Sequence, residues 1–330
     1  MTAPSGPATV TGRAAEEAPP SAGRRRPPLT AALPTGTALV FLLPAALLFG
    51  FFVLYPMVTA LTYSLYSWRG TSQEEFVGLG NFVQLFTAEP YATQVPRAFA
   101  HNLLLFAGSM VVQNSVGLLL AVVLHRRRRF KRLFQVLYTM PYLVSPLVIG
   151  YLWSLLLSPL FGPVNALLKA VGLEALALPW LGTPTTALWV VVLVTAWQWV
   201  GFPLLLYGAA LGGLDASLDE AAELDGASAR QRFWHITLPL LTPVIGTVSV
   251  LTFIFSMEAF PIPYALGGST GSPAGATDVM SLLFYRTAFQ SGSSNAIGTS
   301  SAIAILLFLV IFGLSVAFNR WFRRAERRLH

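Results

Sequence analysis

Few residues of this chain have the type and spacing that covalent chemistry needs. There is no cysteine, hence no thiolate nucleophile, no disulfide framework and no thiolate metal site. The histidines, His101, His125, His235 and His330, lie far apart, none at metal-ligand spacing. No G-x-x-x-x-G-K-S/T run offers a phosphate cradle, and the glycine-rich stretch Gly267 to Gly275 follows no strand and lacks that ending; it reads as a flexible outer loop. No serine sits in a G-x-S-x-G elbow. The sequence thus nominates no catalytic and no metal-binding residue. What remains is non-covalent chemistry. Thr252 and Ser256 are four apart and Ala259 is three further on, so they share one helix face with Phe255 beside them. Hydroxyls next to an aromatic ring suit a sugar, which binds by hydrogen bonds and stacking. Small residues on such a face equally suit packing between membrane helices. Glu258 is the one acid well inside an apolar run, where charge marks function or a paired partner, and no basic residue lies in these runs.

The elements that must position these residues are membrane helices. The 330 residues are 55% hydrophobic and 11% charged, with mean hydropathy +0.64, which excludes an ordinary soluble domain. Apolar runs at 37–66, 100–124, 133–157, 185–209, 244–266 and 297–319 are each long enough to cross a bilayer. The net charge of +7 does not describe a nucleic-acid surface, because the basic residues cluster at the ends of these runs. Lys and Arg concentrate in the N-terminal tail, at 125–132, at 210–243 and after the last run, which puts both termini on the cytoplasmic side of the cell membrane. The run from His125 to Arg132 reads as a topology anchor, ahead of a lipid-phosphate or nucleic-acid role. Residues 1–28 lack an apolar pattern and read as a disordered cytoplasmic tail. A transmembrane domain over 29–323 and a cytoplasmic tail at 324–330 complete the chain.

The longest polar interruption of the C-terminal half is Ser217 to Pro243. Ser217 with Glu220 has the spacing of a capping box, which predicts a helix from Leu218. Gly226 suits the left-handed residue that ends it. Ser228 with Gln231 repeats the spacing and predicts a second short helix through Ile236, stopped by Pro239 and Pro243. Between them the first helix presents small alanines among acids.

The order Glu220-Ala221-Ala222, Asp225-Gly226-Ala227, Phe233, Ile236 and Leu238-Pro239 resembles the EAA loop in membrane subunits of binding-protein-dependent ABC importers. FVGLGNF from Phe76 to Phe82 and Trp197 to Phe202 resemble further segments of the sugar-type members. The resemblance covers about residues 37–323 and implies an all-α, six-span type I permease fold. It makes 217–243 the coupling loop that sits in a cleft of an ATPase dimer, which would hold ATP and Mg, with no cofactor in this chain. It further implies a second homologous permease, an extracytoplasmic solute-binding protein and a sugar substrate. Matched to maltose-type subunits, Thr252, Phe255, Ser256 and Ala259 fall on substrate-facing positions, as does Gly201 beside Phe202. Alanine at 259, leucine at 204 and proline at 261 depart from that pattern. A self-contained secondary transporter would instead show internal repeats and several ion-binding acids in broken helices. A non-transporting scaffold, or an ABC permease for another polar solute such as glycerol phosphate, are the remaining alternatives.

Overall fold

The computed structural model describes residues 35–126 and 130–326; the expected tail at 1–28, most of the Arg126–Arg129 run and residues 327–330 lie outside the described residues. Four helices are long and apolar enough to cross a membrane: Leu39–Ser64, Tyr91–His125, Ala229–Met257 and Ala296–Phe322. Two bent pairs, Lys131–Leu143 with Pro146–Leu156 at 94° and Pro184–Trp199 with Gly201–Gly212 at 41°, bring the spans to six when each pair counts once. The fold is the helical type I permease expected.

Contacts divide the chain between Leu54 and Tyr55. In the first unit α1 (Thr35–Phe49) leads into a π turn at Gly50–Leu54. Its residues from Leu39 to Phe49 are exposed and apolar on every side, as for a helix in lipid. The second unit begins with α2 (Tyr55–Ser64) and a hairpin of β1 (Tyr66–Arg69) and β2 (Ser72–Phe76), then α3 (Gly80–Thr87). A second span follows, made of α4 (Tyr91–Gly108), a π turn (Ser109–Asn114) and α5 (Ser115–Arg126). The third is α6 (Lys131–Leu143) and α7 (Pro146–Leu156); a loop with α8 (Pro163–Ala170) leads to α9 (Pro184–Trp199) and α10 (Gly201–Gly212). Then come α11 (Ala216–Leu224), α12 (Ala229–Arg232), α13 (Leu238–Met257), α14 (Pro261–Gly267), α15 (Met280–Phe289) and α16 (Ala296–Glu326).

Three spans are broken, each at proline. Val144 and Ser145 are extended because the residue before Pro146 is forced out of the helical region. Pro203 has no N–H for the Trp199 carbonyl one turn back, and α9 is bent from α10 there. Pro261 restarts the chain as α14 after a gap at 258–260. Close helix approach elsewhere uses absent side chains: a Cβ on Gly117 would stand 2.7 Å from Pro203 Cγ, so α5 and α10 meet at that glycine.

The outer segments are ordered, which corrects the flexible loop expected at 267–275. The outer segment 66–76 is a hairpin, tied down by Asn81, which donates to the carbonyls of Ser64 (2.8 Å) and Tyr66 (2.9 Å) and accepts from Asn295 (2.9 Å). The glycine-rich stretch 267–275 is not a loose loop. Ser272 N–H bonds Gly267 O at 2.7 Å, Thr277 N–H bonds Gly271 O at 3.1 Å, and Gly275 to Met280 are buried. Its glycines serve positive φ at 268, 271 and 275. The last helix, α16, continues through Glu326.

The clamp on that loop is ionic. Arg286 is bidentate to the fully buried Asp278 at 2.8 and 3.2 Å, and also donates to Ser269 O (2.8 Å) and Gln94 Oε1 (3.1 Å). Removing one partner of a buried pair costs about 3–5 kcal/mol, whereas replacing both by apolar groups costs far less. Asp278→Ala should therefore lower the thermal unfolding midpoint of the detergent-solubilised chain well below that of Asp278→Leu/Arg286→Met. Equal midpoints would contradict the clamp.

Candidate functional site

Two places gather the candidate residues. In the polar loop, α11 is capped by Asp215 and not by the expected Ser217–Glu220 box. The Asp215 carboxylate accepts Ser217 N–H at 3.0 Å, which starts the helix two residues earlier and leaves Ser217 inside it. That hydrogen bond holds the Asp215 carboxyl below its ordinary pKa, so the cap stabilises above the usual carboxylate range and is lost as pH falls through the lowered value. Gly226 at φ 82° ends α11 as a Schellman turn, with Ala227 N–H on Ala222 O (2.9 Å) and Gly226 N–H on Glu223 O (3.0 Å). The Ser228–Gln231 capping box is complete.

The second helix does not stop at Pro239 and Pro243. It passes through a π turn at Phe233–Thr237 into α13, so Ala229–Met257 is one helix of 29 residues. A wider turn accommodates the N–H that Pro239 lacks. Ile236, Phe233 and Pro239 lie half-buried along this stretch, as does Ala222 on α11. Arg232 braces the two short helices. It pairs with Glu223 and, at 3.5 Å, with Asp219, and the Glu223 carboxylate raises its pKa further. Those two acids are therefore engaged, while Glu220, Ala221 and Asp225 remain exposed. Leu218 and Leu224 are exposed beside them.

The other place is a cavity of about 210 Å³ at the breaks of the third and fifth spans. Thr252, Phe255, Ser256, Glu258 and Ala259 all line it, joined by Ser109, Gln113, Thr195 and Trp199. Glu258 caps α13 in the gap before α14 and is exposed. No lysine or arginine belongs to the lining. The rings of Trp199 and Phe255 lie 5.0 Å apart, tilted by 35° to one another. Gly201 and Phe202 stand outside the lining: Phe202 packs edge-on to Phe255 at 5.6 Å, and Gly201 meets α6, where a Cβ would come 2.8 Å from Thr139 Cα. A larger apolar cavity of about 770 Å³ adjoins and shares Gln113. Among the described residues no group of three His, Asp or Glu is placed to hold a metal ion.

The family model described as "Binding-protein-dependent transport system inner membrane component" matches residues 113–329. The chain belongs to that family. It is 35% identical to the probable ABC transporter permease protein YurN of Bacillus subtilis, covering 87% of this chain and 96% of that one. It is 30% identical to the lactose transport system permease protein LacF of Rhizobium radiobacter (88% and 94% covered). It is 32% identical to the sn-glycerol-3-phosphate transport system permease protein UgpA of Yersinia pseudotuberculosis (87% and 95% covered). The fold resembles a bacterial alginate ABC transporter solved with an alginate pentasaccharide-bound periplasmic protein, at TM-score 0.73 and 24% identity, over 88% of this chain and 95% of that one. As an ABC importer permease the chain is a membrane-embedded transport component and not an enzyme.

Sequence reasoning missed the polar residues of the second span. Asn102 is fully buried and donates to Ser256 O (2.7 Å) and Met257 O (3.3 Å) while accepting Met280 N–H (2.9 Å). Asn114 donates to Thr252 Oγ1 at 3.2 Å and accepts from Tyr207 at 3.4 Å. The signal was present: Asn102, Ser109 and Gln113 are seven and four apart in an apolar run, one face of a helix. Arg232, read only as a basic residue for topology, is the other omission.

Arg232→Ala removes the brace between α11 and α12. Amide exchange across 216–232 should accelerate in that variant while exchange in Val248–Met257 stays slow; unchanged exchange in the loop would refute the brace.

Proposed function

We propose that this permease carries a neutral sugar or oligosaccharide inward along a path past Thr252, Phe255, Ser256, Ala259 and Glu258, with Gly201 and Phe202 behind it. The observation that carries this reading is the cavity lining. It combines hydroxyls, an amide, a carboxylate and the aromatic rings of Trp199 and Phe255, the groups that suit a polyol ring. A phosphate or uronate would meet Glu258 with no cation to offset it, which argues against glycerol phosphate and acidic polysaccharides. Sugar systems among the relatives support the same class.

In this reading an extracytoplasmic binding protein delivers the solute and a second homologous permease completes the path. A separate ATPase dimer, holding ATP and Mg, takes the loop 217–243 into its clefts. Glu220 and Asp225 offer charge to that cleft, Ala221 and Ala222 allow close approach, and Gly226 with Ala227 sets the bend. Phe233, Ile236 and Pro239 carry the movement into α13. The Lys and Arg distribution supports cytoplasmic termini and a loop on the ATP side.

The test is uptake by the assembled complex in proteoliposomes supplied with lactose, maltose or glycerol 3-phosphate. ATP-dependent uptake of a neutral sugar and exclusion of glycerol 3-phosphate is the expected result. Glu220→Lys should insert normally yet lose uptake. Preferred uptake of glycerol 3-phosphate would overturn the neutral-sugar reading, and full uptake by the Glu220→Lys complex would overturn the coupling role.

A further inference from the structure

The buried polar side chains around the cavity divide into two kinds. Asn102 and Asn114 are consumed by the fold, each bonded to backbone or side chains of neighbouring helices. Hydroxyls elsewhere in the helices also spend themselves locally: Thr59, Thr62, Thr139, Thr242, Thr247 and Ser249 each donate to the carbonyl four residues back. Thr195 breaks that habit. Its hydroxyl oxygen is buried without a hydrogen-bond partner and belongs to the cavity lining. Gln113, 4% exposed, likewise makes no side-chain hydrogen bond to a described residue and stands in the wall shared by the two cavities.

The π turn at Ser109–Asn114 is what sorts adjacent amides into different roles. Its wider turn directs Asn114 to Thr252 and leaves Gln113 on the cavity side with Ser109, four residues back. A buried hydroxyl without a partner is costly to keep, and Thr195 and Gln113 both belong to the lining that also holds Thr252 and Ser256.

We propose that Gln113 and Thr195 are specificity-determining contacts for the transported solute, the amide and the hydroxyl bonding ring hydroxyls across the cavity from Thr252 and Ser256. This rests on the carbohydrate reading above. At about 210 Å³ the space is below the roughly 300–1,000 Å³ of a drug-sized site, so one sugar ring is read at a time. An amide supplies donors and an acceptor together, and so distinguishes a hydroxyl from its deoxy counterpart.

The complete complex in proteoliposomes is given labelled maltose or lactose and singly deoxygenated analogues of each. Wild type should favour the parent sugar over at least one analogue by about tenfold, one hydrogen bond's worth. Gln113→Leu and Thr195→Val should each bring that preference close to unity at one hydroxyl position. Asn114→Leu, a change to the fold alone, should lower the yield of assembled complex and leave the preference intact. Because the chain has no cysteine, Gln113→Cys and Thr195→Cys can also be probed singly with a small cationic methanethiosulfonate. Both should react, and the transported sugar should slow the reaction. Robust wild-type uptake with unchanged preferences in both variants, or no thiol reaction at either position, overturns the inference alone. Failure of the wild-type complex to take up either sugar overturns the carbohydrate reading and the inference with it.

Discussion

A backbone carbonyl or amide left without a partner in hydrocarbon costs several kcal/mol, and that constraint governs how this chain can break its helices. The third span opens at Val144, whose carbonyl accepts from Gln198 of α9 at 2.9 Å. The fifth opens after Met257, where Asn102 takes the carbonyls of Ser256 and Met257 and gives its own oxygen to Met280 N–H. Side-chain amides on neighbouring helices thus satisfy the backbone carbonyls at the gaps. The cavity lies at these gaps, lined by Pro146 from one and Glu258 to Pro263 from the other. Breaks that would be defects in a plain bundle become the walls of a polar site.

The second consequence is mechanical. The polar loop and the cavity are joined by one helix, because the π turn absorbs Pro239 where a sharp stop was expected. From Ala229 to Ser256 that helix spans about 40 Å at 1.5 Å per residue. Its N-terminal end is braced by Arg232 to α11, and its far end carries Thr252, Phe255 and Ser256. In the proposed coupling, a push at the loop would reach the cavity along this one helix.

Much of this was legible in the sequence, for reasons that differ by element. The spans follow from apolar length, and Gly226 and the Ser228–Gln231 box follow from rules that act within four residues. The shared face of Thr252 and Ser256 follows from helical period; Ala259, expected on the same face, lies in the break after α13 and still lines the same cavity. The breaks were harder. Pro146 forces its break locally, but whether Pro239 ends a helix depends on the turn before it. Asp215 took the cap from Ser217 because two competing caps lay within one turn, and the sequence alone ranks neither. Asn102, Arg286 and Asp278 act across separations of 154 and 178 residues or between loop and helix, distances at which period and spacing say nothing.

The rigid link between loop and cavity is the claim on which coupling rests, and it can be measured as a distance. Nitroxide labels on Arg230→Cys and Thr247→Cys, both exposed positions of the same helix, can be introduced cleanly into this cysteine-free chain. They stand about 26 Å apart along the axis. Pulsed electron–electron resonance on the assembled complex should give one narrow distribution that does not move between the nucleotide-free and ATP-bound states, while a label pair on Arg230→Cys and Val123→Cys does shift. A change in the Arg230–Thr247 distance on ATP binding would place a hinge at Phe233–Thr237 and contradict the single rigid helix.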